Sequence, residues 1–66
     1  MSHQLTQMKA QREAGGFTIP TLAHRANVHD RTIRDLENGG RVGVDASQRI
    51  ADALGVSLAT LGKQDF

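Results

Sequence analysis

The chain has 66 residues, which allows one domain with one small core. It contains no cysteine, which excludes a disulfide or a thiolate zinc site, and no stretch approaches the roughly 18 apolar residues of a membrane span. The net charge is only +1, but residues 1–34 carry five basic against two acidic side chains (+3), and residues 35–66 carry three against five (−2).

The first half of the chain predicts two helices. Leu5 and Met8 mark one face of the first helix, which Gly15-Gly16 should end because glycine readily adopts the left-handed conformation of a helix C-terminus. Thr18 is a plausible N-cap of the second helix, and Pro20 falls in its first turn, where a missing N–H costs nothing. The predicted buried face of this helix comprises Leu22, Ala23 and Ala26.

A sharp turn and a third helix follow. Asn27 tolerates positive φ and can close the second helix, and Val28 should fill the turn. The third helix is expected to start near His29 or Asp30 and to stop at Gly39-Gly40. Its predicted inward residues are Thr32, Ile33 and Leu36.

The rest of the chain predicts a loop over residues 41–44 and two more helices. Asp45 should open the fourth helix and Gly55 should end it, with Ile50, Ala51 and Leu54 facing the core. Ser57 should cap a short fifth helix over residues 58–61. The only β-like run, Val-Gly-Val at 42–44, is too short to count as a strand. We expect one domain over residues 1–66, with frayed ends at 1–4 and 63–66.

The spacing of the second and third helices is typical of a helix-turn-helix unit. Two helices joined by about three residues cross steeply, and small residues such as Ala23 and Ala26 let them approach closely. One face of the third helix then projects from the body. In DNA-binding proteins of this design, that face enters the major groove.

Several spaced motifs agree with this reading. The segments GFTIPTLAHRANVHDRTIRDLENG and RIADALGVSLATL resemble the phage-repressor and Cro-type (XRE-like) helix-turn-helix family of transcriptional regulators. The resemblance covers roughly residues 5–62. It implies an all-α, compact, five-helix, lambda-repressor-like domain that binds operator DNA in the cytoplasm, usually as a homodimer, with no cofactor, small-molecule ligand, membrane contact or enzymatic activity.

The resemblance also implies roles for individual residues. Positions that reach base edges are Asp30, Arg31, Arg34 and Asp35; positions where phosphate contacts are common are Thr18, His29, Asn38 and Arg41. Arginine can make a bidentate contact to guanine, and aspartate can accept from cytosine N4. Arg12 and Glu37 resemble a family ion pair that ties the first helix to the end of the third.

The sequence departs from the family pattern at four places. Ile19 replaces a glutamine that often touches a phosphate, and Asn27 replaces the glycine of the turn. Ser47 stands where a core leucine is usual, so either Val44 fills the gap or the core is looser. The loop after the third helix is often basic, but here it offers only Arg41.

Other readings of these residues stay open. Asp30/Arg34 and Arg31/Asp35 are both i,i+4 pairs that could satisfy one another without reading DNA. Ile19 and the low net charge favour an alternative function, a protein-interaction or antitoxin-like module with weak DNA binding. The histidines and the Ser57/Asp52 combination lack the spacing of a metal site or a catalytic triad, so we expect neither.

Overall fold

The structure is a computed structural model that describes the backbone of residues 2–62 and the side chains of residues 4–62. Within that range it contains five helices and a two-stranded sheet. In chain order the elements are β1 (Ser2–His3), α1 (Met8–Ala14), α2 (Ile19–Ala26), α3 (Asp30–Glu37), β2 (Val42–Gly43), α4 (Val44–Leu54) and α5 (Leu58–Leu61). The predicted small, mostly helical, five-helix domain is confirmed.

Local signals set the two ends of α2. The Thr18 hydroxyl accepts a hydrogen bond from the Thr21 N–H at 3.2 Å, and Pro20 lies in the first turn, so two of the unpaired groups at the helix start are accounted for. Asn27 closes the helix at φ 58° and ψ 48° and is the only non-glycine residue with positive φ among those described. This conformation turns the chain directly into α3.

The C-terminus of α3 depends on two glycines. Gly39 has a φ of +90°, and the Gly40 N–H donates to the Asp35 carbonyl at 2.8 Å. A Cβ at Gly40 would lie 2.7 Å from that carbonyl oxygen, so only glycine fits this close approach. The predicted helix stop at Gly39-Gly40 is therefore confirmed, and its reason is steric.

A single core lies between the helices. Helix α2 is central, since it packs against both α3 and α4. Small side chains allow these close contacts, because Ala23, Ala26 and Ala51 are all at most 2% exposed. The buried hydrophobic residues are Leu5, Met8, Leu22, Ala23, Ala26, Ile33, Leu36, Ile50, Ala51 and Leu61.

The prediction of no strand is wrong at one place. The backbone of β1 pairs antiparallel with β2, Ser2 opposite Gly43 and His3 opposite Val42, so Ser2 and His3 are paired where we expected fraying. The predicted loop over residues 41–44 is shortened accordingly, because α4 begins at Val44 rather than Asp45. Gln4 adds a hydrogen bond from Nε2 to the Gly39 carbonyl at 3.3 Å. The N-terminal segment therefore binds the connection that follows α3.

Ser47 occupies the core position, and the Val44 side chain does not join it there. Ser47 is fully buried and its hydroxyl donates to the Val44 carbonyl at 2.8 Å, whereas the Val44 side chain is 49% exposed. The suggestion that Val44 fills the gap is wrong. A buried serine is tolerated here because its donor is satisfied within the first turn of α4. Over residues 2–62, no helix is long and apolar enough to cross a membrane.

Candidate nucleic-acid interface

Helix α3 separates an apolar inner side from a charged outer side. Ile33 is completely buried, Leu36 is 4% exposed, and Thr32 is half-buried beside them, as the sequence predicted. On the outer side the three exposed residues of the helix are Arg31, Arg34 and Asp35, while Asp30 is half-buried in the first turn. Three of the four candidate base-reading residues are therefore exposed on one short helix, and the fourth, Asp30, is half-buried in its first turn.

The two possible ion pairs along α3 differ. Arg31 Nε lies 3.9 Å from Asp35 Oδ2, with the side chains 89% and 65% exposed. Between Asp30 and Arg34, both within the described range, no ion pair forms. An ion pair this long and this exposed contributes at most a few tenths of a kcal/mol to the stability of the fold. The charged side chains on this face therefore restrain one another only weakly.

The end of α3 is fastened to the body by a different pair. Arg12 Nε donates to Glu37 Oε2 at 2.7 Å and Arg12 Nη1 donates to the Phe17 carbonyl at 2.8 Å. The hydrogen bond with Glu37 raises the pKa of Arg12 against the opposing effect of burial. The two side chains are only 12% and 10% exposed. The predicted pair is present and joins α1, the α1–α2 turn and the end of α3.

The candidate phosphate contacts lie at the ends of α2 and α3. Thr18 is exposed at the start of α2, and its hydroxyl also donates to Thr21 Oγ1 at 2.8 Å. His29 precedes α3 as its N-cap residue, without a side-chain capping bond, and Asn38 follows as the C-cap residue. Arg41 is exposed in the connection to β2. Three of the four positions thus lie close in sequence to the two ends of α3.

Sequence reasoning missed the environment of Arg25. Its guanidinium lies over the Phe17 ring, 5.1 Å from the centroid, at one side of a groove of about 480 Å³ between α2 and α4. The other charged side chains that line the groove are also engaged: Arg49 pairs with Asp45, and Asp52 accepts from Gln48 Nε2 at 3.0 Å. Arg25 comes eight positions after Phe17, across the N-terminus of α2, and no sequence pattern predicts this contact.

The histidines give no sign of a metal site in the part of the chain that the structure describes. His24 and His29 are both exposed, and no group of three potential metal ligands is present among the residues described. The third histidine, His3, is described only in its backbone.

Two helices joined by a short turn, with the second presenting a charged outer face, define this molecule as a helix-turn-helix domain. The model of the helix-turn-helix family matches residues 8–61, most of the chain. The chain belongs to this XRE-type family of DNA-binding transcription regulators, as the sequence motifs indicated. Searches of curated proteins and of solved structures found no match.

Proposed function

We propose that the protein is a sequence-specific regulator, a repressor of bacterial or phage genes in the cytoplasm, that binds a two-fold-symmetric operator as a homodimer. Helix α3 of each subunit lies in the major groove, and the two grooves are about 34 Å apart. Repression follows when the bound dimer occupies DNA that the transcription machinery needs.

The observation that supports this proposal best is the two-sided character of α3. Its inner side is anchored through Ile33 and Leu36, and its end through the Arg12–Glu37 pair, so the helix is rigidly mounted. The charged side chains on its outer side are exposed and contribute almost nothing to the stability of the fold. Rigid mounting of a hydrogen-bonding face is what base reading requires, because contacts to base edges depend on position.

Each candidate residue then has a role. The base-reading residues are Asp30, Arg31, Arg34 and Asp35. The phosphate-contacting residues are Thr18, His29, Asn38 and Arg41, and they set the register of the protein on the duplex without reading sequence. The Thr18 hydroxyl can exchange its bond to Thr21 for a phosphate oxygen, since both threonines are exposed.

The test is selection from a pool of random duplexes, followed by measurement of affinity across a range of salt concentrations. We expect an enriched motif with two-fold symmetry. The slope of log K against log salt should be about −2 for the dimer, because Arg41 is the only arginine or lysine among the four phosphate positions, and the uncharged Thr18 and Asn38 contact a phosphate without releasing a counterion. A bound pool without any enriched motif would contradict the proposal.

The alternative, a protein-interaction module with weak DNA binding, depends on Ile19 and on the charge. Ile19 is half-buried and packs against the core, so packing accounts for an apolar residue there without a protein partner. The net charge of +1 still favours the alternative, since a basic surface supplies most non-specific DNA affinity.

Ile19→Gln separates the two functions. In a DNA-binding protein the new amide can donate to a phosphate at the start of α2, and we expect affinity to rise by about 1 kcal/mol, roughly fivefold, per subunit. Ile19→Leu is the matched control, because it keeps the apolar packing and adds no donor. Titration of a labelled operator measures both variants. Unchanged DNA affinity together with loss of a co-purifying protein partner would favour the alternative.

A further inference from the structure

The outer face of α3 carries only two kinds of charged side chain, arginine and aspartate. The helix Asp30–Glu37 contains no asparagine or glutamine, and its exposed side chains are two arginines and one aspartate, with Asp30 beside them in the first turn. Bases differ in what they offer to such side chains in the major groove. The composition of this face therefore bears on which base pairs it can recognise.

The donors on this face are free to bind a base. Arg31 Nε is 3.9 Å from the Asp35 carboxylate, beyond hydrogen-bonding distance. Arg34, among the residues described, makes no hydrogen bond or ion pair with another side chain. By contrast, Arg12 donates two short hydrogen bonds, and its side chain is only 12% exposed. Arg34 therefore breaks no side-chain interaction when it contacts DNA, and Arg31 gives up only the long, exposed pair with Asp35.

Guanine and cytosine suit these groups best. A guanidinium can donate to both N7 and O6 of guanine, whereas adenine presents an acceptor beside a donor. A carboxylate can accept from N4 of cytosine, which carries no acceptor on its own major-groove edge, while the adenine amino group lies beside N7, which would repel the carboxylate. We infer that α3 selects a half-site in which the contacted base pairs are G·C, an inference that rests on the proposed function.

The spacing of the charges supports reading of neighbouring pairs. Arg31 and Asp35 are four residues apart, which advances about 6 Å along a helix axis. Base pairs along the duplex are separated by about 3.4 Å, so the two side chains can reach bases that are about two steps apart. Asp30 and Arg34 repeat the same spacing in the opposite order of charge.

The balance of positive and negative charge on this face disfavours binding to other sequences. The two arginines and two aspartates sum to zero, so this face gains little from a phosphate backbone of arbitrary sequence. A carboxylate pressed against an acceptor-rich base edge is left desolvated and unpaired, which is costly. Aspartates on this helix therefore act mainly against wrong sequences and contribute to binding only where they meet a cytosine amino group.

The inference is tested by comparing selected sequences for the unmodified protein and Asp35→Asn. An asparagine prefers adenine, where it can donate to N7 and accept from N6, so we expect one position of the motif to change from cytosine to adenine. Asp45→Asn on α4 is the matched control, since Asp45 also forms an exposed i,i+4 pair with an arginine. This control should leave the motif unchanged.

A base analogue provides the second readout. Replacing a selected guanine by 7-deazaguanine removes its N7 acceptor, and affinity should fall about five- to hundredfold, whereas the same change at an unselected guanine should have no effect. An enriched motif whose half-sites are specified by A·T pairs, or one that does not respond to Asp35→Asn, would overturn the inference and leave the proposed function standing. Failure to enrich any motif would overturn both.

Discussion

Arg31→Ala is expected to abolish discrimination between operator and unrelated DNA. A bidentate arginine–guanine contact contributes about 1–3 kcal/mol, and a dimer loses two of them, so operator affinity should fall by about 2–6 kcal/mol. Binding to unrelated duplexes should fall by less, because there the variant loses only the positive charge of Arg31 and no bidentate contact to a base. Fluorescence anisotropy with operator and scrambled duplexes measures the difference between the two losses.

The fold should not change in this variant. Arg31 has 89% of its side chain exposed and takes part only in the long pair with Asp35, so circular dichroism and the thermal midpoint should match those of the parent protein. Arg49→Ala removes a comparable arginine from an exposed pair on α4 and serves as the control. Should Arg31→Ala bind operator as tightly as the parent, α3 does not read the sequence through this residue.

Arg12→Ala should give the largest loss of stability among single changes of charged residues. It leaves Glu37 almost buried without a partner and removes the donor to the Phe17 carbonyl. Breaking a buried pair costs about 3–5 kcal/mol, and some remaining solvent access reduces this to about 2–4 kcal/mol. A domain of this size is stable by only about 3–10 kcal/mol in total, so much of it would be lost. Urea unfolding followed by circular dichroism measures the change.

A double variant separates the cost of leaving the Glu37 carboxylate unpaired from the cost of lost packing. Arg12→Met together with Glu37→Leu replaces the pair with apolar groups and leaves no carboxylate unpaired, so it should recover most of the stability. Arg49→Ala, which removes an exposed pair, should cost less than about 1 kcal/mol. If Arg12→Ala were as mild as Arg49→Ala, the contact between α1 and α3 would not be what holds the end of α3.

Much of the fold could be predicted from the sequence because its signals are local. Thr18, Pro20 and Asn27 each determine the backbone within a few residues of themselves, and each acts in the structure as expected. The apolar spacing of α2 and α3 likewise identified residues that are buried. The Arg12–Glu37 pair came from the resemblance to a family, since nothing local links residues 25 positions apart.

The tertiary structure decided what depends on distant parts of the chain meeting. Two residues of β1 pair with two of β2 about 40 positions later, and strands this short have no periodicity to detect. Ser47 is buried while Val44 is exposed, because the approach of the neighbouring helices determines which side of α4 is covered. On α3 the sequence alone determined that charged residues share one face. Only the structure decided that Arg31 approaches Asp35 without bonding it, because side-chain position depends on three-dimensional surroundings that spacing does not contain.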